Sequence, residues 1–171
     1  DIQKAVLDPS QQWVELGEGH LGKIYLEILG CDGLPNMDTG GLLGIKTDAF
    51  VACVFEDVYG RTDVINDCLS PRWPSWTSRA FILRIAHPSS VLNLGIFDYD
   101  NGGLDSYDLI GRVSVDLTNF RSATEYVLSY NFCPSARISE RKSNGKLMIR
   151  LRMEVDDERK LAMAALYPPP P

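Results

Sequence analysis

The sequence contains no C-x-x-C pair: its four cysteines stand alone at positions 31, 53, 68 and 133. That spacing excludes the usual zinc-ribbon and dithiol redox motifs. Cys53 sits inside an apolar run and reads as a small core residue. Histidine is scarcer, with only His20 and His87, too few nitrogens for an ordinary zinc site. No N-x-[ST] sequon occurs, and a reducing, cytosolic setting is the expectation. No apolar run approaches the ~20 residues of a spanning helix, and no signal-peptide pattern opens the chain. Basic charge is in deficit, with 17 Lys and Arg against 23 Asp and Glu and a net charge of -6. Nucleic acid is excluded as a partner, because its binding rests on Lys and Arg neutralising phosphates. Constitutive docking on anionic lipid is excluded on the same ground; membrane binding would need a switch that cancels negative charge. Catalytic signatures are absent too: there is no G-x-S-x-G, no P-loop and no histidine beside a plausible nucleophile. No enzyme is expected.

The chain has 171 residues, of which 44% are hydrophobic. That is enough for one domain with a full core. Residues 1–20 have no clear period, although the short alternation after Trp13 leaves room for an edge strand. From Lys23 the pattern turns strand-like. Runs of β-formers cover 24–29, 49–55, 61–65, 79–85, 91–97, 113–117, 126–130 and 146–155. In the last, Leu147, Ile149, Leu151 and Met153 occupy one face. Turn residues separate the runs, and this spacing predicts an all-β sandwich of eight antiparallel strands. The organisation expected is an N-terminal extension over 1–21, a domain over 22–155 and a linker over 156–171. Within the linker, 156–166 is a good helix former, stopped by the proline tract 168–171. The tract favours polyproline II and reads as a linker, with docking to an SH3- or WW-type protein as the alternative. A chain that begins at Asp1 and ends in prolines is expected to be a piece of a longer protein.

Two segments are dense in carboxylates. The first runs Leu34-Pro35-Asn36-Met37-Asp38, then through glycines to Thr47-Asp48-Ala49-Phe50. The second runs Asp98-Tyr99-Asp100-Asn101-Gly102-Gly103-Leu104-Asp105-Ser106-Tyr107-Asp108-Leu109-Ile110-Gly111. Alternation puts Asp98 and Asp100 on one face of a strand end. Two carboxylates ~4 Å apart repel by about 4 kcal/mol at an effective dielectric near 20. A convergent group therefore requires a cation or shared protons, and calcium accepts 6–8 hard oxygen ligands in flexible geometry. The competing reading is that these residues only form turns. An EF-hand is excluded, because the twelfth loop position is Leu109 rather than Glu and the flanks are strands.

Together these residues resemble a C2 domain over about Gly22 to Val155. Leu34-Pro35 leading to Asp38, with Thr47-Asp48-Ala49-Phe50-Val51, resembles the family's first calcium loop. Asp98-Tyr99-Asp100 with Asp108-Leu109-Ile110-Gly111 resembles its third. Leu69-Ser70-Pro71-Arg72-Trp73-Pro74 resembles the proline-tryptophan turn between them. The resemblance implies an eight-stranded antiparallel sandwich with its binding loops at one end, in the family's second topology. It implies side-chain ligands at Asp38, Asp48, Asp98, Asp100 and Asp108, with the carbonyls of Met37 and Tyr99 coordinating as well. The third loop is about two residues longer than the pattern, so Asp105 competes with Asp108. Two or three calcium ions are implied.

The first loop is also long. Its insertion places Leu42, Leu43 and Ile45 among Gly40, Gly41 and Gly44, followed by Lys46. The expectation is that these aliphatics, with Leu104 of the third loop, enter a bilayer while Lys46 meets a headgroup phosphate. The competing reading folds Leu42 and Leu43 back on the sandwich rim. The stretch 56–67 carries Glu56, Asp57, Asp63 and Asp67 against Arg61 alone, so the phosphoinositide-binding strand of many relatives is not expected. The basic residues Arg137, Arg141, Lys142 and Lys146 read as a solvated loop. The implied function is a monomeric, cytoplasmic module that binds anionic phospholipid membranes peripherally when calcium is present. It would serve a larger trafficking, tethering or signalling protein. The alternative is a calcium-independent protein-interaction domain of the same fold.

Overall fold

The computed structural model describes residues 1–36, 47–99, 108–134 and 145–156, together with Ala162, Ala165 and Leu166. A short helix, α1 (Ile2–Leu7), is followed by strands β1 (Val14–Leu16), β2 (Gly22–Asp32), β3 (Ala49–Phe55), β4 (Val58–Arg61) and β5 (Ala80–Ile85). After these come β6 (Val91–Asp98), β7 (Asp108–Asp116), β8 (Glu125–Asn131), β9 (Cys133–Pro134) and β10 (Lys146–Val155). Among the described residues the strands form two five-stranded sheets, ordered β1-β5-β2-β10-β8 and β4-β3-β6-β7-β9. The β1–β5 pair is parallel. The long strand pairs are antiparallel.

Alternation decides which face each strand buries. Ile24, Leu26 and Ile28 of β2 point inward, as do Val51, Cys53 and Phe55 of β3, Leu92, Leu94 and Ile96 of β6, and Leu147, Ile149 and Leu151 of β10. These side chains fill the space between the sheets, and each fully buried Leu, Ile or Phe contributes about 1.5–3 kcal/mol. Trp73, from the turn before β5, is fully buried in the same core and donates its indole N–H to the carbonyl of Asp63 at 2.8 Å.

All eight expected strands occur, but one is displaced. The run expected at 61–65 forms its strand earlier, over Val58–Arg61. Thr62 is the reason: its hydroxyl, rather than a backbone carbonyl, accepts the Val51 N–H at 3.0 Å. The regular ladder stops there and resumes only as a bridge between Ala49 and Ile65. The strands β1 and β9 are additional. The alternation after Trp13 is realised as the edge strand β1.

The N-terminal segment is fastened to the outer face of the first sheet by a buried ionic cluster. The fully buried guanidinium of Arg79 donates to the carbonyls of Val6 (2.6 Å), Asp8 (2.7 Å) and Trp73 (2.7 Å) and to the Ser10 hydroxyl (2.7 Å). Arg150 donates to Leu7 O (2.8 Å) and to both carboxylate oxygens of Glu27 (2.6 and 2.8 Å). The last carbonyls of α1 would otherwise lack partners, and the two arginines supply them. Burial alone would push the Glu27 carboxyl up; the hydrogen bonds from Arg150 and Ser10 and the two guanidinium charges outweigh it, so the group lies below its ordinary value.

Candidate metal centre

Three of the expected aspartates stand at neighbouring strand ends on one end of the second sheet. Asp48 immediately precedes β3, Asp98 ends β6 and Asp108 begins β7. In the ladders Ala49 lies opposite Asp98, and Asp98 lies opposite Asp108. Directly opposed residues in antiparallel strands have Cα atoms about 4.5–5.5 Å apart. The register that achieves this includes a bulge, because Ile96 pairs with Gly111 while Phe97 pairs with Leu109. Ile110 is the extra residue and is fully buried. Bulges of this kind re-aim side chains beside functional sites. Here the bulge within Leu109-Ile110-Gly111 brings Asp108 level with Asp98.

Hydrogen bonds hold these strand ends together. Asp98, only 6% exposed, accepts the Asp48 N–H through Oδ1 at 2.9 Å. The Tyr99 N–H donates back to the Asp48 carbonyl at 2.7 Å. The Asp48 carboxylate accepts the N–H of Asp67 at 2.7 Å. Asp67 is left-handed, with a φ of +51°, a conformation Asp tolerates better than most residues. The exposed Asp67 thus joins the rim from the segment between β4 and β5. Residue spacing held no hint of it, because the contact depends on Cys68 N–H donating to Thr47 O and Leu34 N–H to Leu69 O, both at 3.0 Å.

The proline-tryptophan turn braces the root of the first loop. Arg72 donates to the Cys31 carbonyl at 2.6 Å and to Asp32 Oδ1 at 2.7 Å. The turn lies so close over Gly30 that a Cβ there would stand 2.8 Å from both Pro71 O and Arg72 Cδ. On the outer face of the second sheet, Phe50 stacks on Phe97 with ring centroids 5.4 Å apart and meets Tyr99 edge-on at 6.4 Å. The Arg61 guanidinium lies 5.0 Å from the Phe50 ring centroid and 6.0 Å from that of Tyr99. Arg61 therefore clamps the residue that enters the third loop, a role its isolation in sequence did not reveal. The neighbouring acids serve local structure. Glu56 accepts N–H groups of Ala86 and His87, and Asp63 accepts that of Ser78.

Met37, Asp38, Leu42, Leu43, Ile45 and Lys46 of the first loop, and Asp100, Leu104 and Asp105 of the third, lie outside the described residues. So do Arg137, Arg141 and Lys142. Among the described residues no three His, Cys, Asp or Glu side chains converge closely enough to hold an ion. The side chains at these strand ends, Asp48, Asp98 and Asp108, carry carboxylate oxygens, a donor type that suits a hard cation such as calcium. His20 and His87 line a cleft at the opposite end of the sandwich, so nitrogen ligands are absent from this end among the described residues.

Comparison with known proteins agrees with this fold. The family model described as "C2 domain" matches residues 22–132. The chain is 28% identical over 124 residues to Multiple C2 domain and transmembrane region protein 16 of Arabidopsis thaliana, an alignment covering 68% of this chain and 11% of that protein. Among solved structures it superposes on a C2 domain of plant Extended Synaptotagmin 1 with a TM-score of 0.67 and 19% identity, covering 82% of this chain and 99% of that one. It matches the calcium-bound pair of C2 domains of Extended-Synaptotagmin 2 with a TM-score of 0.62 and 22% identity, covering 80% of this chain and 47% of that one. These structural likenesses carry the fold. The chain spans about a tenth of the curated relative's length, 11%. With its two facing sheets, its loop-bearing strand ends and a family match over most of its length, the chain belongs to the C2 domain family.

Proposed function

We propose that this chain is a calcium-dependent, phospholipid-binding C2 module of a larger trafficking, tethering or signalling protein, and not itself an enzyme. The observation that carries the reading is the position of Asp98. It is a carboxylate 6% exposed, opposite Asp108 and hydrogen-bonded to the backbone of Asp48. Ionised carboxylates at adjoining strand ends repel one another unless positive charge is near. Calcium, where bound, would supply that charge and leave coordination positions for lipid oxygens. Asp48, Asp98 and Asp108 would hold it together with Asp38 and Asp100, with Asp105 as the competitor of Asp108 and the carbonyls of Met37 and Tyr99 as further donors. Two or three ions are proposed. One relative was solved with calcium bound, which supports the choice of cation.

The chain's own residues do the rest. Asp48 and Asp98 are held by the backbone of strands already locked in a sheet, so these two carboxylates are placed before any ion arrives. Cancelling the aspartate charge removes the barrier between a protein of net charge -6 and an anionic surface. Leu42, Leu43, Ile45 and Leu104 would then enter the bilayer, with Lys46 at a headgroup. No helix among the described residues is long and apolar enough to cross a membrane, and the attachment proposed is peripheral and cytoplasmic.

Liposome sedimentation tests the reading. The chain is expected to pellet with vesicles containing anionic phospholipid when calcium is present, and to return to the supernatant with chelator. Pelleting that ignores calcium, or no pelleting at all, would favour the calcium-independent protein-interaction role instead.

A further inference from the structure

The stretch 67–76, between β4 and β5, is bonded to the aspartate end of the sandwich and to the N-terminal segment alike. At its start, Asp67 N–H donates to the Asp48 carboxylate at 2.7 Å and Cys68 N–H to the Thr47 carbonyl at 3.0 Å. Its middle is stitched to the end of β2 and the root of the first loop. Leu34 N–H donates to Leu69 O, Cys31 N–H to Pro71 O and Trp73 N–H to Leu29 O, each at 3.0 Å. At its close, Ser75 N–H donates to the Ala5 carbonyl and Gln11 N–H to the Ser75 carbonyl, both at 2.9 Å. The Gln12 side-chain amide donates to Trp76 O at 3.2 Å. Residues 67–76 thus form one strap, tied to Asp48 at one end and to residues 5–12 at the other.

Arg79 locks the second of these attachments. One nitrogen of its fully buried guanidinium donates both to Trp73 O in the strap (2.7 Å) and to Val6 O in α1 (2.6 Å). The other terminal nitrogen donates to Asp8 O at 2.7 Å and the Nε–H to the Ser10 hydroxyl at 2.7 Å. A guanidinium holds its donors in a rigid planar fork. The N-terminal segment cannot leave the strap without stranding several of these buried donors, which is costly.

Taking the aspartate end as the calcium site proposed above, we infer that residues 2–12 are a positioning element for it, acting through Arg79 and the strap on Asp48. With the segment attached, the strap is fixed and the Asp67 N–H holds the Asp48 carboxylate in place. An ion then meets a ligand that needs no further ordering, and preorganisation of this kind tightens binding. With the segment released, the strap loosens and the ion must itself order Asp48. Coupling between two sites is reciprocal: the factor by which attachment tightens calcium is also the factor by which calcium tightens attachment.

Calcium calorimetry and hydrogen exchange on the whole chain test this, with each variant first shown to be folded by circular dichroism. In the wild type, saturating calcium should slow exchange in peptides from 2–12, although none of these residues belongs to the site. Arg79→Ala should weaken calcium binding at least about fivefold, and Arg79→Lys, which keeps the charge and some donors, should recover part of the loss. Val6 is buried, and Val6→Asn loosens α1 without altering any strap residue. That variant should weaken calcium binding in the same direction, and both releasing variants should speed exchange in 67–69. Leu92→Ala opens a cavity in the core at the end of β6 away from Asp98; it should lower stability and leave calcium affinity unchanged. No calcium heat in the wild type would remove the calcium reading and this role with it. Three results would overturn the positioning role alone: wild-type affinity in both Arg79→Ala and Val6→Asn, no slowing of exchange in 2–12 by calcium, or an equal loss of affinity in Leu92→Ala.

Discussion

At the scale of single residues, Asp98 separates charge from structure most cleanly. Its Oδ1 accepts the Asp48 N–H, and an asparagine in its place keeps an acceptor oxygen there. Asp98→Asn with Asp100→Asn is therefore expected to abolish calcium-triggered vesicle binding while leaving the circular dichroism spectrum unchanged. Binding that persists in this variant would mean that the aspartates are not the switch. Arg61 offers a second test. Its guanidinium covers Phe50 and Tyr99, and exposed cation–π contacts are weak but orienting. Arg61→Ala should weaken calcium binding by roughly two- to fivefold by calorimetry, with lysine restoring part of the loss.

At the scale of elements, the attachment of α1 matters most. Removing one member of a buried ion cluster leaves an uncompensated charge and costs about 3–5 kcal/mol. Arg79→Ala should show that loss in urea denaturation and free the segment before β1. The pH dependence has a definite sign. Glu27 titrates lower in the folded state than its ordinary value of 4.5. Its stabilising contribution is therefore present above that value and is lost as pH falls through the folded-state value. Acid unfolding curves should show the loss in the wild type and a flatter dependence in Glu27→Gln. Gly30 makes a steric prediction: Gly30→Ala must push aside the backbone at Pro71, lowering stability and loosening the root of the first loop. The strands themselves were legible because buried aliphatics alternate with exposed or half-buried positions, as along β6. The cluster of Glu27, Arg79 and Arg150 was not. Arg79 and Arg150 lie 52 and 123 residues from Glu27, and nothing local marks an arginine that will be fully buried. The early end of β4 was also hidden, since it depends on the Thr62 hydroxyl replacing a ladder acceptor.

At the scale of the molecule, the two ends of the sandwich differ in chemistry. One carries the strand-end aspartates Asp48, Asp98 and Asp108; the other holds an apolar groove and the two histidines. That Asp48, Asp98 and Asp108 stand at one end of the second sheet was legible because turn-bounded motifs occur in order along the chain. What spacing did not disclose was the bracing behind it: Arg72 across the root of the first loop, Arg61 over the entry to the third, and Asp67 on the rim. Each depends on chain segments that meet only after the sheets have formed.

The most direct measurement is a crystal structure of the chain soaked in calcium. An ion is expected at the strand ends, with carboxylate oxygens of Asp48 and Asp98 at about 2.3–2.6 Å. Saturating calcium that leaves the space between Asp48, Asp98 and Asp108 without an ion would contradict the assignment of this end as a calcium site.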